Sequence, residues 1–542
     1  MATIFRSARF FTAPLEHGIA TTESEFAECM IVQDGIISHV GSCKDTEVIQ
    51  AQNCGATIHD LGHRIVLPGF IDGHMHLLLM GQSLTKVDLG PCKDLDDIRN
   101  TIKRFANEHP DLPRILCRGW MHSMTDGKAL ASMLDDLDPR PIFIDSKDLH
   151  SSWCNSAALE EMGVQDMPDP SGGSISRDSE GKASGLLSEA AAVMMVWPHI
   201  AKVSPIEEKV NALRAAFKAY SAAGYTGAVE MAIYENGWEA LQLLRQRDGK
   251  LALRLAAHWL IAPSKTEEEN LKQVDRAIEL HKQFNTETSP DCRIAGIKVI
   301  CDGVIDACTA ALLEPYSNGI SCDTLWPAAM LDPVVKTADA AGLQCALHAI
   351  GDGAIRTAID SLEKNGTPGR RHRIEHLELA SPKDAKRLGQ LGITASIQAV
   401  HADPAILRAW PKLLGEERCG RRFAYKDFQD GGATLALGSD APTAPFAPLP
   451  NLYTATTRRS AREPDSVEKV NPHFALSLAS AISAATAGAA YSCFADTWTG
   501  RLAKGMKGDF VVMDMQWDAE KLLEAKVLET WFEGIKVFEA EP

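Results

Sequence analysis

Over most of the chain, short apolar runs alternate with longer amphipathic stretches rich in Ala and Leu, a pattern that predicts repeated strand–helix units around a parallel sheet. The candidate strands are residues 65–71, 226–231, 253–260, 295–300, 343–349, 372–377, 394–399 and 434–437. Eight such units predict an α/β fold closed as a (β/α)8 barrel of the TIM type. The two ends read differently. Residues 29–33 and 36–40 flank the turn Asp34-Gly35, a hairpin pattern, and residues 508–514 and 527–538 form strand-like runs broken by Gly. The two ends are expected to share one sheet.

The stretch between about residues 77 and 201 is too long for a strand–helix connection, and its Pro, Gly and charge clusters predict an inserted subdomain after the first barrel strand. The expected division is therefore 1–68 plus 497–542 for the terminal domain, 69–90 plus 200–496 for the barrel, and 91–199 for the insertion, which would cover the mouth of the barrel.

Composition narrows the class. The 542 residues are 45% hydrophobic and 23% charged, which suits a folded soluble protein with a large core. A formal net charge of −17 repels phosphate backbones and anionic lipid, so nucleic acid and membrane partners are not expected. The 13 cysteines are odd in number and include no Cys-x-x-Cys pair, which argues against a disulfide framework or a thiolate zinc knuckle and for a reducing, cytoplasmic setting. Arg6 and Arg9 precede the first acid, Glu16, as in a transit peptide, but the continuous apolar run of a secretory signal is missing. The apolar stretch 477–492 is shorter than the roughly 20 residues that cross a bilayer and reads as a packed helix. The turn at 349–353 lacks both a Walker lysine and a dinucleotide fingerprint, so nucleotide-driven chemistry is not indicated.

The reactive side chains fall at the ends of the candidate strands, where barrel enzymes gather their catalytic groups. His74 and His76 follow the first strand at alternate positions, so their imidazoles point to one side in extended geometry. Lys298 interrupts the apolar run Ile294-Ala-Gly-Ile-Lys-Val-Ile, where an unpaired ammonium is costly. It either pairs with Asp302, extends outward, or loses its proton and takes up carbon dioxide as an anionic carbamate. His348, His376 and Asp440 close the fifth, sixth and eighth candidate strands. Six ligand-type residues at the ends of strands one, four, five, six and eight point to a cation site.

In that order, His-Met-His, Gly-Ile-Lys-Val-Ile-Cys-Asp-Gly, His-Ala-Ile-Gly-Asp, Arg-Ile-Glu-His and Gly-Ser-Asp-Ala-Pro resemble the amidohydrolase superfamily, in the branch that contains N-substituted formamide deformylase. Arg118-Gly-Trp, His150 with Asn155-Ser-Ala-Ala-Leu, Gly172-Gly-Ser-Ile, Gly185-Leu-Leu-Ser-Glu189 and Ile397-Gln398 extend the likeness over nearly the whole chain. It implies a small β-sandwich built from both chain ends beside the barrel. It also implies two zinc ions per chain, one held by His74, His76 and Asp440, the other by His348 and His376, with carbamylated Lys298 bridging them. Asp440 is then the catalytic base. Met121 stands where relatives often have Asp, and Ala399 where they often have Pro.

The implied activity is hydrolysis of an amide, formamide or related non-peptide C–N bond in a small organic substrate. A deaminase or decarboxylase on the same scaffold is the alternative, because fold and ligands do not fix the reaction. A non-catalytic binding protein is the third reading. Trp120, His122, His150, Glu189, Glu230 and His401 are the candidate substrate contacts, and a homodimer is a further expectation from the resemblance.

Overall fold

The computed structural model describes residues 2–12, 15–16, 19–20, 24–147, 151–170, 173–189 and 191–541. The chain divides into two compact units, one of residues 1–77, 217–234 and 245–542, the other of residues 78–216 and 235–244.

In the first unit, eight strands hydrogen-bond in chain order as one parallel sheet. They are β1 (Phe70–Met75), β2 (Tyr225–Ile233), β3 (Arg254–Ile261), β4 (Cys292–Ile300), β5 (Gln344–Ala349), β6 (Arg373–His376), β7 (Thr394–Ile397) and β8 (Leu435–Leu437). Their near-continuous apolar sequences suit strands buried on both faces. The two sheet edges meet where Met75 bridges Ala441 in parallel, giving a nearly closed barrel. The 477–492 stretch is helical and largely buried, as expected. Its last turn meets the barrel interior: Arg373 Nη1 donates to Ser492 Oγ at 3.0 Å, and Gln344 Nε2 to the Ser492 carbonyl at 2.9 Å. Ala489, Ala490 and Cys493 pack against Ile71, Val229, Met231 and Ala346.

The first strand differs from the sequence expectation. The apolar run 65–71 is shared between two sheets: Thr57–Pro68 belongs to the terminal sheet, and the barrel strand starts only at Phe70. The break falls at Gly69, where a Cβ would lie 2.3 Å from Thr226 Oγ1. The terminal sheet has seven strands from both chain ends, in the order 535–539, 526–532, 510–514, 57–68, 2–11, 26–33 and 36–41. The Asp34-Gly35 hairpin is present, with Gln33 paired to Ile36. Phe5 anchors the core of this sheet, edge-on to Phe510 at 4.9 Å and to Trp531 at 5.0 Å.

The second unit, wider than residues 91–199, is built on a six-stranded sheet in the order 173–177, 183–189, 151–154, 142–146, 115–120 and 87–88. Its helix Leu95–Glu108 starts where Asp94 accepts from the Asp97 amide, and it buries Ile98, Ile102 and Ala106, spaced four apart on one face. No helix among the described residues is long and apolar enough to cross a membrane.

Candidate metal centre

An irregularity in β1 orients the first two histidines. Ala228 pairs with Asp72 and Glu230 with Met75, so β1 spends one more residue than β2 over the same span. Such a bulge re-aims side chains. It falls at Gly73, where a Cβ would lie 2.8 Å from the Leu437 carbonyl oxygen. Beyond the bulge, His76 Nε2 lies 3.0 Å from Asp440 Oδ1 and His74 Nε2 lies 3.4 Å from the same oxygen. The ligand atoms of His74, His76 and Asp440 all fall within 4.8 Å of one another. Asp440 itself has φ +58°, a left-handed conformation that costs a non-glycine residue energy and that often marks functional sites.

His74 is fixed from behind. Its Nδ1 lies 2.7 Å from Glu375 Oε2, and Glu375 is held by Arg373, whose Nε donates to Oε1 at 2.6 Å. Arg373 also donates through Nη2 to the Gly73 carbonyl at 2.6 Å and to Ser396 Oγ at 2.8 Å. A carboxylate on one imidazole nitrogen turns the other toward a metal and raises its basicity. His74 Nε2 is buried and has no hydrogen-bond partner, as is true of Nδ1 in His376 and in His348. The last lies 3.1 Å from Asp302 Oδ1, but not aligned for a hydrogen bond.

His376 completes the group. Its ring centroid is 4.4 Å from that of His348 and 5.0 Å from that of His74. It follows Glu375 directly, and its φ of +76° breaks the strand alternation. The atoms of His376, Glu378 and His401 form a second set of possible ligands within 4.8 Å. His401 Nδ1 lies 3.1 Å from Glu378 Oε1, while its Nε2 lies 3.6 Å from Asp440 Oδ2.

Lys298 is buried inside β4, in register with Ala346 of β5, and Ile300 two residues on is in register with His348. Burial lowers its ammonium to about 8, against the pull of Glu375 and Asp440. Burial and then the Lys298 charge lower the His74 imidazole. Burial would raise the Asp440 carboxyl, but the approach of His74 and His76 holds it well below the ordinary range. Burial and then Arg373 act on Glu375 in opposite senses, and the guanidinium prevails, so the group stays ionised. Burial likewise pushes the His376 imidazole down, so His74 and His376 favour the neutral form beside the ionised Asp440 and Glu375, a nitrogen and oxygen donor set that suits zinc or a similar divalent cation. Buried imidazole nitrogens without partners fit such an ion.

The other candidates are placed as follows. Glu230 is buried and accepts from the Leu77 amide. Trp120 is fully buried in the core of the second unit, its ring 4.4 Å from His122 and 5.3 Å from Trp153. Glu189 ends the strand Ala183–Glu189 with φ +54°. His150 lies outside the described residues. The sequence reading passed over Arg373, Glu375 and Glu378. The alternation of Arg373 and Glu375 on one strand was the available signal, since two charges on one face of a buried strand must find partners.

The amidohydrolase family model matches residues 57–538. The chain belongs to the amidohydrolase family. It is 32% identical to Protein LONG AFTER FAR-RED 3 of Arabidopsis thaliana, over 96% of this chain and 90% of the relative. It is 25% identical to N-substituted formamide deformylase of Arthrobacter pascens, over 95% of each chain. Among solved structures, an uncharacterized metal-dependent hydrolase from Pyrococcus horikoshii superposes with a TM-score of 0.78 at 24% identity, covering 96% of this chain and 98% of that one, a likeness of fold.

Proposed function

We propose that this amidohydrolase cleaves an amide, formamide or related non-peptide C–N bond of a small organic substrate, using two divalent cations, with zinc the expected metal. The observation that carries the reading is the convergence of His74, His76 and Asp440 within 4.8 Å in a buried site beside Lys298, His348 and His376. His74, His76 and Asp440 would hold one ion, and His348 and His376 the other. Bound cations supply Lewis acidity and acidify water at neutral pH.

The protein's own groups do the rest. With its pKa lowered to about 8, roughly a tenth of Lys298 is neutral at pH 7. That amine would be able to add to carbon dioxide, the N–C bond forming as one C–O π bond opens and a proton is released, and the carbamate would offer anionic oxygens to the cations. Asp440 takes the proton of the attacking water and returns it to the departing nitrogen. His74 and His76 occupy the Oδ1 side of Asp440, so Oδ2, which faces His401, is the oxygen left to carry that proton. Glu378 orients His401, and Glu375 orients His74.

The test is elemental analysis of the purified chain, coupled to a screen of N-formyl, N-acyl and cyclic amides before and after chelation. Two equivalents of metal and chelator-sensitive release of an amine or acid are expected. Hydrolysis that survives complete metal removal would reject the reading.

A further inference from the structure

The three residues of the first ligand group do not belong to one element. His74 and His76 lie on or just after β1, and Asp440 lies three residues past the end of β8, so their spacing depends on how those two edges of the sheet are joined. That joint is slight. β8 is only three residues long, and Met75–Ala441 is the bridge recorded between the edges. The Asp440 amide donates to the His74 carbonyl at 2.7 Å and the His76 amide to the Ala441 carbonyl at 2.9 Å.

Asp72 sits across this joint. Its Oδ1 accepts from the Ser439 amide at 2.8 Å and from the His74 amide at 3.2 Å. Its Oδ2 accepts from Ser439 Oγ at 2.6 Å and from Tyr220 Oη at 3.0 Å. The carboxylate is 1% exposed, so it is satisfied by protein donors rather than water, and its four donors come from β1, from the turn after β8 and from the helix Ile206–Ala222. Tyr220 is braced in turn, stacked on Phe446 with ring centroids 5.3 Å apart. Ser439 Oγ also accepts from the Ala441 amide at 3.0 Å, so one hydroxyl links Asp72 to both neighbours of Asp440. There is no slack for compensation on the other side of the joint, because a Cβ on Gly438 would lie 2.4 Å from the His74 nitrogen.

We infer that Asp72 is a positioning residue: by stapling β1 to the Ser439 turn it sets the distance between the two histidines and Asp440, and so the affinity and geometry of the cation they hold. The inference rests on the cation-dependent reading above. An apolar residue here would close the barrel without fixing this register, whereas a buried carboxylate pays its desolvation only when all its donors are in place.

The experiment uses the full-length chain. Asp72→Asn keeps the volume but not the four-acceptor carboxylate, Ser439→Ala removes one strut, and Tyr220→Phe removes the outer support. Each is examined for Zn2+ affinity by competition with a chromophoric chelator, for the visible spectrum of the Co2+-loaded protein, and for cooperative unfolding in urea. Asp72→Asn and Ser439→Ala should weaken Zn2+ binding about 10- to 100-fold, the scale seen for groups that orient metal ligands. They should also alter the Co2+ bands while still unfolding cooperatively, and Tyr220→Phe should do the same to a smaller degree. Wild-type Zn2+ affinity and an unchanged Co2+ spectrum in folded Asp72→Asn would overturn the inference. Should that variant not fold, the same result in Ser439→Ala and Tyr220→Phe together would do so. A defect in the underlying reading looks different: a His74→Ala chain that retains wild-type Zn2+ affinity removes the cation site itself, and the staple's role with it.

Discussion

His74 and Glu375 are 301 positions apart in the chain, yet Nδ1 of one lies 2.7 Å from Oε2 of the other, both side chains fully shielded from solvent. The contact joins His74 to the Arg373–Glu375 charge pair inside the barrel. Glu375→Gln is expected to lower Zn2+ affinity about 10- to 100-fold, because His74 loses its anionic partner. It should also destabilise the fold by about 3–5 kcal/mol, because Arg373 keeps its charge in the interior with no carboxylate against it. Chelator competition and urea unfolding read the two effects separately, and an unchanged affinity would show that the pair serves the core alone.

Lys298 and Asp440 are expected to fail differently. Both Lys298→Ala and Asp440→Asn should abolish turnover. Only the lysine variant should lose metal in a way that added short carboxylic acids partly restore, since these can supply the missing bridging oxygens. Metal content and activity titrated against propionate decide it. Full activity in a metal-free Lys298→Ala preparation would exclude a bridging role.

Gly438→Ala places a methyl 2.4 Å from the His74 nitrogen and 2.6 Å from its Cβ, a clash with backbone that no side-chain rotation relieves. A loss of about 1–3 kcal/mol in stability is expected, together with reduced zinc occupancy. Wild-type occupancy in the variant would mean that the joint between β1 and β8 yields more easily than its contacts suggest.

A pH effect is expected in the terminal sheet, at the turn between strands 526–532 and 535–539. Burial would raise the Glu533 carboxyl, but Lys250 and Arg254 hold it down to about 2, against an ordinary 4.5. Arg254 also donates to Asp509 Oδ2 at 2.5 Å and is itself nearly buried. A depressed carboxyl stabilises the folded state fully above its unfolded pKa, and that contribution is lost as pH falls through the folded one. Wild type should exceed Glu533→Gln by on the order of 3 kcal/mol at pH 7, and the gap should close between about pH 4.5 and 2. Urea unfolding of both proteins at pH 7, 4 and 3 is the measurement, and a gap independent of pH would refute the assignment.

The barrel was legible in the sequence because its strands, buried on both faces, read as apolar runs, and seven of the eight fall within a few residues of their expected places. The exception was the run 65–71, since a strand of the terminal sheet and a strand of the barrel are equally apolar and only Gly69 separates them. His74, His76, His348, His376 and Asp440 stood out as candidates because metal-binding residue types at the ends of apolar runs fall where a barrel gathers its functional groups, and the fold brings His74, His76 and Asp440 together. Asp72 was not, because a carboxylate four residues after Pro68 looks like any turn acid until the fold brings Ser439 and Tyr220 to it. Glu378 and His401 were unreadable as a pair for the same reason: they lie in the segments that follow β6 and β7, and meet only because those two strands are neighbours in the sheet.

The interior of the barrel is bonded to Ser492, and Asp440 lies 364 positions after His76. A growing polypeptide leaving the ribosome therefore exposes its first histidines long before the groups that complete their surroundings have been translated. Premature termination ahead of residue 440 leaves out Asp440 altogether, and termination between there and Ser492 leaves Arg373 and Gln344 without the partners that Ser492 supplies.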